Sequence, residues 1–459
     1  MRLTVTAMLV VLPAAMSAQN AKRCLPILLD GAHQYKSDEQ FGGNIVRYLG
    51  GRVRFRCQGQ DVQLEGDSVQ IINDKTYMFT GRALYRDSTL SVSADTLTYL
   101  KQAPNRQQDE TVQARRSVTV TDRKTGSTLN GPSVDFSRAA KGVRDSDMVL
   151  ASGRPVVRYL PAATGRGTAA PTPWTITAEY LRGFGQSHLW GGGAVVVDWD
   201  SMRVNADSLD VESNKHRTAR FFGKPATLRR TGSDSFVVTG ELIRLAFAGD
   251  TLRAVRTFGG GTVTREGGTI KGDSILIAIE KEKLSRTDVW GRSGNAKVHS
   301  SGYDAEGDSV VILTPNEKLR ELRSFGHGML ANPPDTLHPV VVDSGGGALP
   351  RRDTLWGDRI LALFDDSDSA GTLITRVTRV QATGNAKSWY AYNAGQKGAN
   401  CPTLAYFLAD TILVRMKSGD STGVADVRYH RNVSGYLAEK ASTSKPDSSK
   451  AGNPCRGKQ

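Results

Sequence analysis

The feature that most constrains this chain is a short block that returns along its length. A small residue is followed by an acid, often by a hydroxyl residue, and then by aliphatics. The block reads Gly66-Asp67-Ser68-Val69, Ala94-Asp95-Thr96-Leu97 and Ala206-Asp207-Ser208-Leu209. It returns as Gly272-Asp273-Ser274-Ile275, Gly307-Asp308-Ser309-Val310 and Ala409-Asp410-Thr411-Ile412, with degenerate copies at Ala178-Glu179, Gly240-Glu241 and Gly357-Asp358. A second element lies between copies: a glycine followed shortly by a small or β-branched residue. Examples are Gly81-Arg82-Ala83, Gly153-Arg154-Pro155-Val156, Gly261-Thr262-Val263 and Gly384-Asn385-Ala386. The spacing is irregular, roughly 30 to 50 residues, within the range where internal repeats dictate architecture.

The runs around these blocks alternate apolar and polar residues, as in LSVSADTLTYL (90–100), WTITAEYL (174–181) and FVVTGELIRLAF (236–247). Helical periodicity is almost absent, so the chain is predicted to be all-β. Each copy reads as one hairpin-like layer that cannot bury its apolar face alone and must stack on the next. The small residue lets the chain turn against its neighbour. The acid is expected to accept a hydrogen bond from its own downstream backbone. The hydroxyl residue then faces outward and the aliphatics inward.

Gly272-Asp273-Ser274-Ile275 also resembles the nucleophile block of the GDSL esterases and lipases. A hydrolase needs one activated serine with a base in reach. Here the block recurs with Ser and Thr interchangeable, which favours a structural corner. Asp335-Thr336-Leu337-His338 matches the Asp-x-x-His of that family but lies in a proline-rich stretch. Gly419-Asp420-Ser421-Thr422-Gly423 fits G-x-S-x-G, yet it sits between two strand-like runs where the motif needs a strand–turn–helix. Phosphate-loop, dinucleotide and H-E-x-x-H signatures are absent, as are C-x-x-C spacings. The chain is therefore expected to be no enzyme and to carry neither cofactor nor metal.

The first residues, MRLTVTAMLVVLPAAMSAQNAKRC, combine a basic start, a short apolar run and small residues. They read as a secretory signal peptide over residues 1–18. Export into an oxidising compartment makes disulfides expected among Cys24, Cys57, Cys401 and Cys455. Four cysteines allow three pairings, of which Cys24–Cys57 with Cys401–Cys455 is the simplest. The formal net charge of +14 is spread along the chain. That favours anionic partners, and no nucleic-acid signature accompanies it. PAATGRGTAAPTP (161–173) and residues 331–352 read as linkers, and 441–459 as a mobile tail. They delimit three modules, 24–160, 174–330 and 353–440.

The order of acid block, Gly-Asn-Ala-type turn and acid block is similar to the OstA/LptA family, the organic-solvent-tolerance domain of the periplasmic lipopolysaccharide-transport bridge. The stretches that carry the resemblance are LSVSADTLTYL with VQARRSVTVTD, GGGAVVVDWDSMRVNADSLDVE, and LITRVTRVQATGNAKSWYAY with VADVRYHRNVSGYLAEK. It covers most of the chain after the signal peptide. The family fold implies a repetitive twisted β-jelly roll, an open β-solenoid of V-shaped layers, in two or three modules. Its apolar trough would hold acyl chains while sugars stay in water. Val92, Leu97, Val118, Val195, Val204, Leu209, Ile275, Ile277 and Val310 are the trough candidates. The implied ligand is lipopolysaccharide or a related anionic glycolipid. The implied partners are other bridge proteins joined by edge-strand addition, and further copies of the chain end to end. The implied place is the periplasm, in the bridge or at its outer-membrane end. The chain departs from the family in its length and in its Cys24–Cys57 segment. A structural β-solenoid that binds no lipid, and a GDSL-like esterase, are the alternatives.

Overall fold

The computed structural model describes residue 24 and residues 26–29, 38–58, 60–101, 110–139, 144–160, 172–185, 187–212, 217–232, 235–248, 251–281, 283–292, 295–333, 352–369, 372–392, 403–417 and 424–438. The signal peptide, Asp335–His338, Gly419–Gly423, Cys401, Cys455 and the 441–459 tail lie outside them, as do most of the stretches 161–173 and 331–352. The fold is all-β, a repetitive jelly roll or solenoid, and among the described residues there is no α-helix.

The described residues divide into two compact units, one within Met1–Leu160 and Ile176–Gly191, the other within Pro161–Thr175 and Gly192–Gln459. The first holds β1 (Pro26–Leu28), β2 (Asp38–Phe41), β3 (Asn44–Cys57), β4 (Gln63–Ile72), β5 (Thr76–Arg86), β6 (Leu90–Leu100), β7 (Thr111–Asp122), β8 (Thr128–Ser137), β9 (Met148–Ser152) and β10 (Val156–Tyr159). The chain passes between the units through β11 (Trp174–Thr177), β12 (Tyr180–Phe184) and β13 (His188–Trp199). The second unit continues with β14 (Met202–Glu212), β15 (Thr218–Arg230), β16 (Phe236–Ala248), β17 (Thr251–Arg265), β18 (Gly268–Glu280), β19 (Lys283–Trp290), β20 (Ala296–Ser300), β21 (Asp304–Gly307) and β22 (Ser309–Leu313). It ends with β23 (Glu321–Ala331), β24 (Thr354–Ser369), β25 (Thr372–Tyr392), β26 (Thr403–Met416), β27 (Val424–His430) and β28 (Ser434–Ala438). The pairings are antiparallel and most join successive strands, while β10 returns to β8 and β12 pairs with β9. β23 pairs with β24 from Glu321↔Leu363 to Ala331↔Thr354, so the ladder runs on past the 331–352 stretch.

The recurring acid block is where each strand bends. In β6 the in–out alternation holds up to Ala94, breaks at Asp95 and Thr96, which both face out, and resumes inward at Leu97. Two outward residues in succession are the signature of a β-bulge, which kinks the strand and sharpens its twist. The register shifts at the same place in neighbouring ladders, between Glu65 and Ser68, Thr80 and Ala83, and Ser93 and Thr96. The second unit repeats this between Asn205 and Ser208, Thr239 and Leu242, and Phe258 and Gly261. A row of aligned bends folds each unit's layers into two arms. In β19–β22 the bend becomes a break, so that β18 pairs with β19 on one arm and β20 on the other.

The partner of the acid corrects the expectation from sequence. The carboxylate does not turn to its own downstream backbone; it meets the glycine element of the adjacent strand. Gly81 has φ +74°, Arg82 φ 45°, and Arg82 donates to Asp67 at 2.6 and 3.0 Å. Asp308 faces Gly326-His327, Asp358 faces Gly384-Asn385, and Asp410 accepts from Asn432 at 3.0 Å. The two sequence elements are thus the two sides of one corner. The left-handed pair carries the turn, and the acid of the neighbouring strand packs on it.

Candidate functional site

Between the arms of each unit lies an apolar interior. In the first unit Phe55, on one arm, meets Tyr77 and Phe79 of the other edge-on, with ring centroids 5.7 and 6.0 Å apart. Tyr85 likewise reaches across to the other arm, stacking on Tyr99 at 6.4 Å and meeting Phe136 at a tilt at 6.2 Å. In the second unit Trp199, at one arm's tip, lies 5.4 Å from Phe247 on the other, with Trp174 against both. Further along, Tyr303 closes on Phe364 at 5.4 Å. These are side-chain contacts; the backbone ladders run along each arm.

All nine trough candidates point into these interiors, and the structure leaves each between 0 and 3% exposed. Val92 lies opposite Tyr85 and Val120, Leu97 opposite Phe79 and Ala114, and Val118 opposite Gly131. Ile275 and Val310 are brought together on either side of Val289, in one buried cross-strand row with Thr257. Ile277 occupies the next inward row, between Val255 and Thr287. Val204, opposite Leu228, and Leu209, opposite Phe221, lie on the two arms of β14, either side of its bend. Val195 is likewise buried, on β13.

Ser274 sits on the outer side of its corner. Its hydroxyl donates to the Thr257 carbonyl at 2.8 Å, while Asp273 accepts the Arg292 backbone N–H at 3.1 Å. Among the described residues, no group of three or more His, Cys, Asp and Glu is placed to hold a metal ion.

Sequence reasoning missed a polar group that closes the first unit between its arms. Asp87 is 2% exposed. One carboxylate oxygen accepts from the Thr89 and Leu90 backbone N–H groups and the Thr89 hydroxyl, at 2.6 to 2.8 Å. The other accepts from Tyr85 at 3.0 Å and from Arg138. Arg138 also donates to the Tyr85 hydroxyl at 2.8 Å, and its Nε lies 3.7 Å from Glu110. Burial pushes the Glu110 carboxyl above its ordinary range, against the pull of the Arg138 guanidinium. Burial likewise raises the Tyr85 phenol. No sequence motif marks this group: Tyr85 lies near the end of β5, and Asp87, Thr89, Glu110 and Arg138 lie in the stretches between strands.

The first unit's N-terminal edge and the second unit's C-terminal edge are built alike, two short strands along one long strand, and only the former is stapled. At the N-terminal end β1 and β2 pair along β3, and a disulfide joins Cys24 to Cys57 with their Cα atoms 4.8 Å apart. This confirms one of the two pairings expected. At the C-terminal end β27 and β28 both pair with β26, and among the described residues neither has a partner on its other side. Val433, Tyr436 and Leu437 there are half exposed.

No protein-family model matches the chain, and no curated protein matches it. A solved structure similar to part of it is LptH of Pseudomonas aeruginosa, the LptA-homologous periplasmic component of the lipopolysaccharide transport device. The match has 19% identity and a TM-score of 0.21, over 25% of this chain and 82% of that one.

Proposed function

We propose that this protein is a periplasmic carrier for the acyl chains of lipopolysaccharide or a related anionic glycolipid, acting as a bridge or as its outer-membrane adaptor. The observation that carries the reading is an apolar interior walled by two arms whose closure is made by side chains alone. Arms held this way part at the mouth without breaking a ladder hydrogen bond. An acyl chain that replaces the side-chain contacts stays out of water, at about 0.8 kcal/mol per CH₂. No bond chemistry is needed, and the corner role of Ser274 fits a protein that does none. The open C-terminal edge would take a neighbour by strand addition. The N-terminal edge, where β1 and β2 lie along β3, would offer a second such site, stiffened by the Cys24–Cys57 staple.

The near-complete burial of the nine candidates supports a second reading, a closed structural solenoid. Photocrosslinking in cells separates the two. A photoreactive residue replaces Val204, Ile277 or Val310, with exposed Lys271 as the outward control. Crosslinks to lipopolysaccharide from the inward positions alone are expected. Silence at all three in a folded protein would leave the closed scaffold as the better account.

A further inference from the structure

The outer face of the second unit carries a feature that an apolar interior does not require. Its residues form cross-strand rows. One row runs Phe222, Leu242, Phe258, Ser274, Trp290 across β15 to β19. Beside it, one step along the strands, Arg220, Arg244 and Arg256 stand opposite one another on β15, β16 and β17. Phe222 is 40% and Trp290 39% exposed.

The charges on this face are unevenly answered. Arg220 is held by Asp210 at 2.9 Å and Glu212 at 3.6 Å, and Arg286 by Asp288 at 2.7 Å. Among the described residues Arg244 and Arg256 have no carboxylate within ion-pair reach. The Arg256 guanidinium instead lies over two rings, 4.7 Å from the centroid of Phe258 and 5.4 Å from that of Trp290. Its Nε is buried without a hydrogen-bond acceptor among the described residues. Trp290 reaches it across β18 because the residue between is Ser274, whose small side chain turns to the Thr257 carbonyl. The first unit repeats the arrangement on different strands. Arg182 lies 4.6 Å over Phe184 and 5.8 Å from Trp190, on which His188 stacks at 4.0 Å. Both clusters are spelled Arg-x-Phe with a tryptophan brought in by the sheet.

A guanidinium on aromatic faces is weakly hydrated and keeps in-plane donors for phosphate. Exposed Trp and Phe rings partition to the headgroup level of a bilayer. Unpaired cations set among exposed rings complement an anionic lipid surface in both charge and polarity. We infer that the outer face around Arg244, Arg256, Phe222 and Trp290 is a docking surface for an anionic phospholipid bilayer. This docking is peripheral and independent of whether acyl chains enter the interior.

The test is co-sedimentation of the full chain lacking residues 1–18 with vesicles of mixed phosphatidylglycerol and phosphatidylcholine, against vesicles of phosphatidylcholine alone. Binding to the anionic vesicles, falling as salt rises, is expected. Arg244→Gln with Arg256→Gln should weaken it, by about fivefold for each charge removed. Phe222→Ser with Trp290→Ser should weaken it on both salt extremes, since rings are not screened. Lys271→Gln, on the other arm, should leave it unchanged. Should Arg256→Gln shift the thermal midpoint, the pair Arg244→Gln and Phe222→Ser, outside the ring sandwich, gives the same reading. Absence of binding to anionic vesicles overturns the inference. Equal loss on Lys271→Gln, or equal binding by all variants, also overturns it, because a diffuse basic surface would then suffice.

Discussion

At the scale of single residues, the acids of this chain do two different jobs. Asp67 is an exposed corner acid, held below the usual carboxylate range chiefly by its hydrogen bond from Arg82. Asp87 is buried, with every oxygen answered. Removing one partner of a buried pair typically costs about 3–5 kcal/mol, because the other charge stays buried and uncompensated. Arg138→Met should therefore destabilise the first unit by that order, and adding Asp87→Asn should cost much less than a second such loss. Chemical unfolding of the three variants checks this; strictly additive losses would show the two side chains to be independent. Glu110 gives the pH dependence. Its folded value is raised above the ordinary 4.5 by burial, so the folded state holds the proton more tightly than the unfolded chain. Its contribution is intact below the ordinary value and lost as pH rises through the raised one. Glu110→Gln should raise the thermal midpoint at neutral pH and flatten its decline from mildly acidic to neutral conditions. A slope matching that of the parent protein would reject this assignment.

At the scale of the element, the corner decides what each strand tolerates. A Cβ on Gly81 would stand 2.5 Å from the Asp67 carboxylate, at φ +74°. Gly43 has φ +80° and open space around the same position. Gly43→Ala should cost about 1 kcal/mol, the backbone penalty alone. Gly81→Ala should cost roughly 1–3 kcal/mol more through lost packing of the acid. Urea midpoints of the two variants check it, and equal losses would mean that the acid yields freely. Both halves of this corner were legible in the sequence, because a strand interior rarely spends Gly and Asp side by side without a bend. Their pairing was not. Asp67 and Gly81, or Asp358 and Gly384, meet only once the register of two strands is set, and that depends on the whole ladder. Arg116-Ser117 and Arg431-Asn432 make the same left-handed pair without a glycine, so the glycine element misses them. The inward positions were readable from alternation, and Val204, Ile275 and Val310 are where it placed them. The arginine–aromatic rows were not, since Phe258 and Trp290 become neighbours only across β18.

At the scale of the whole molecule, the ends of the ladder decide what it joins. An uncovered strand edge is a template for another strand. The N-terminal edge is occupied by β1, stapled through Cys24 and Cys57, both nearly fully buried. A disulfide closing a loop of 33 residues restrains the unfolded chain by about 4 kcal/mol in the chain-entropy account. Cys24→Ser with Cys57→Ser should lower the first unit's unfolding midpoint and release β1 from β3. That would exchange the short outer edge of β1 for the edge of the long strand β3. Head-to-tail growth joins one edge of each kind, and β3 offers a neighbour a longer run of ladder hydrogen bonds than β1, so the cysteine variant should extend further with concentration than the parent chain. Leu437→Lys and Tyr436→Lys, which set charge on β28, should suppress association in both backgrounds. Sedimentation velocity across a concentration series measures all four. A cysteine variant that stays the size of its parent would show that the β1 staple guards stability alone. An association untouched by the β28 lysines would remove that edge from the account of how this chain meets its neighbours.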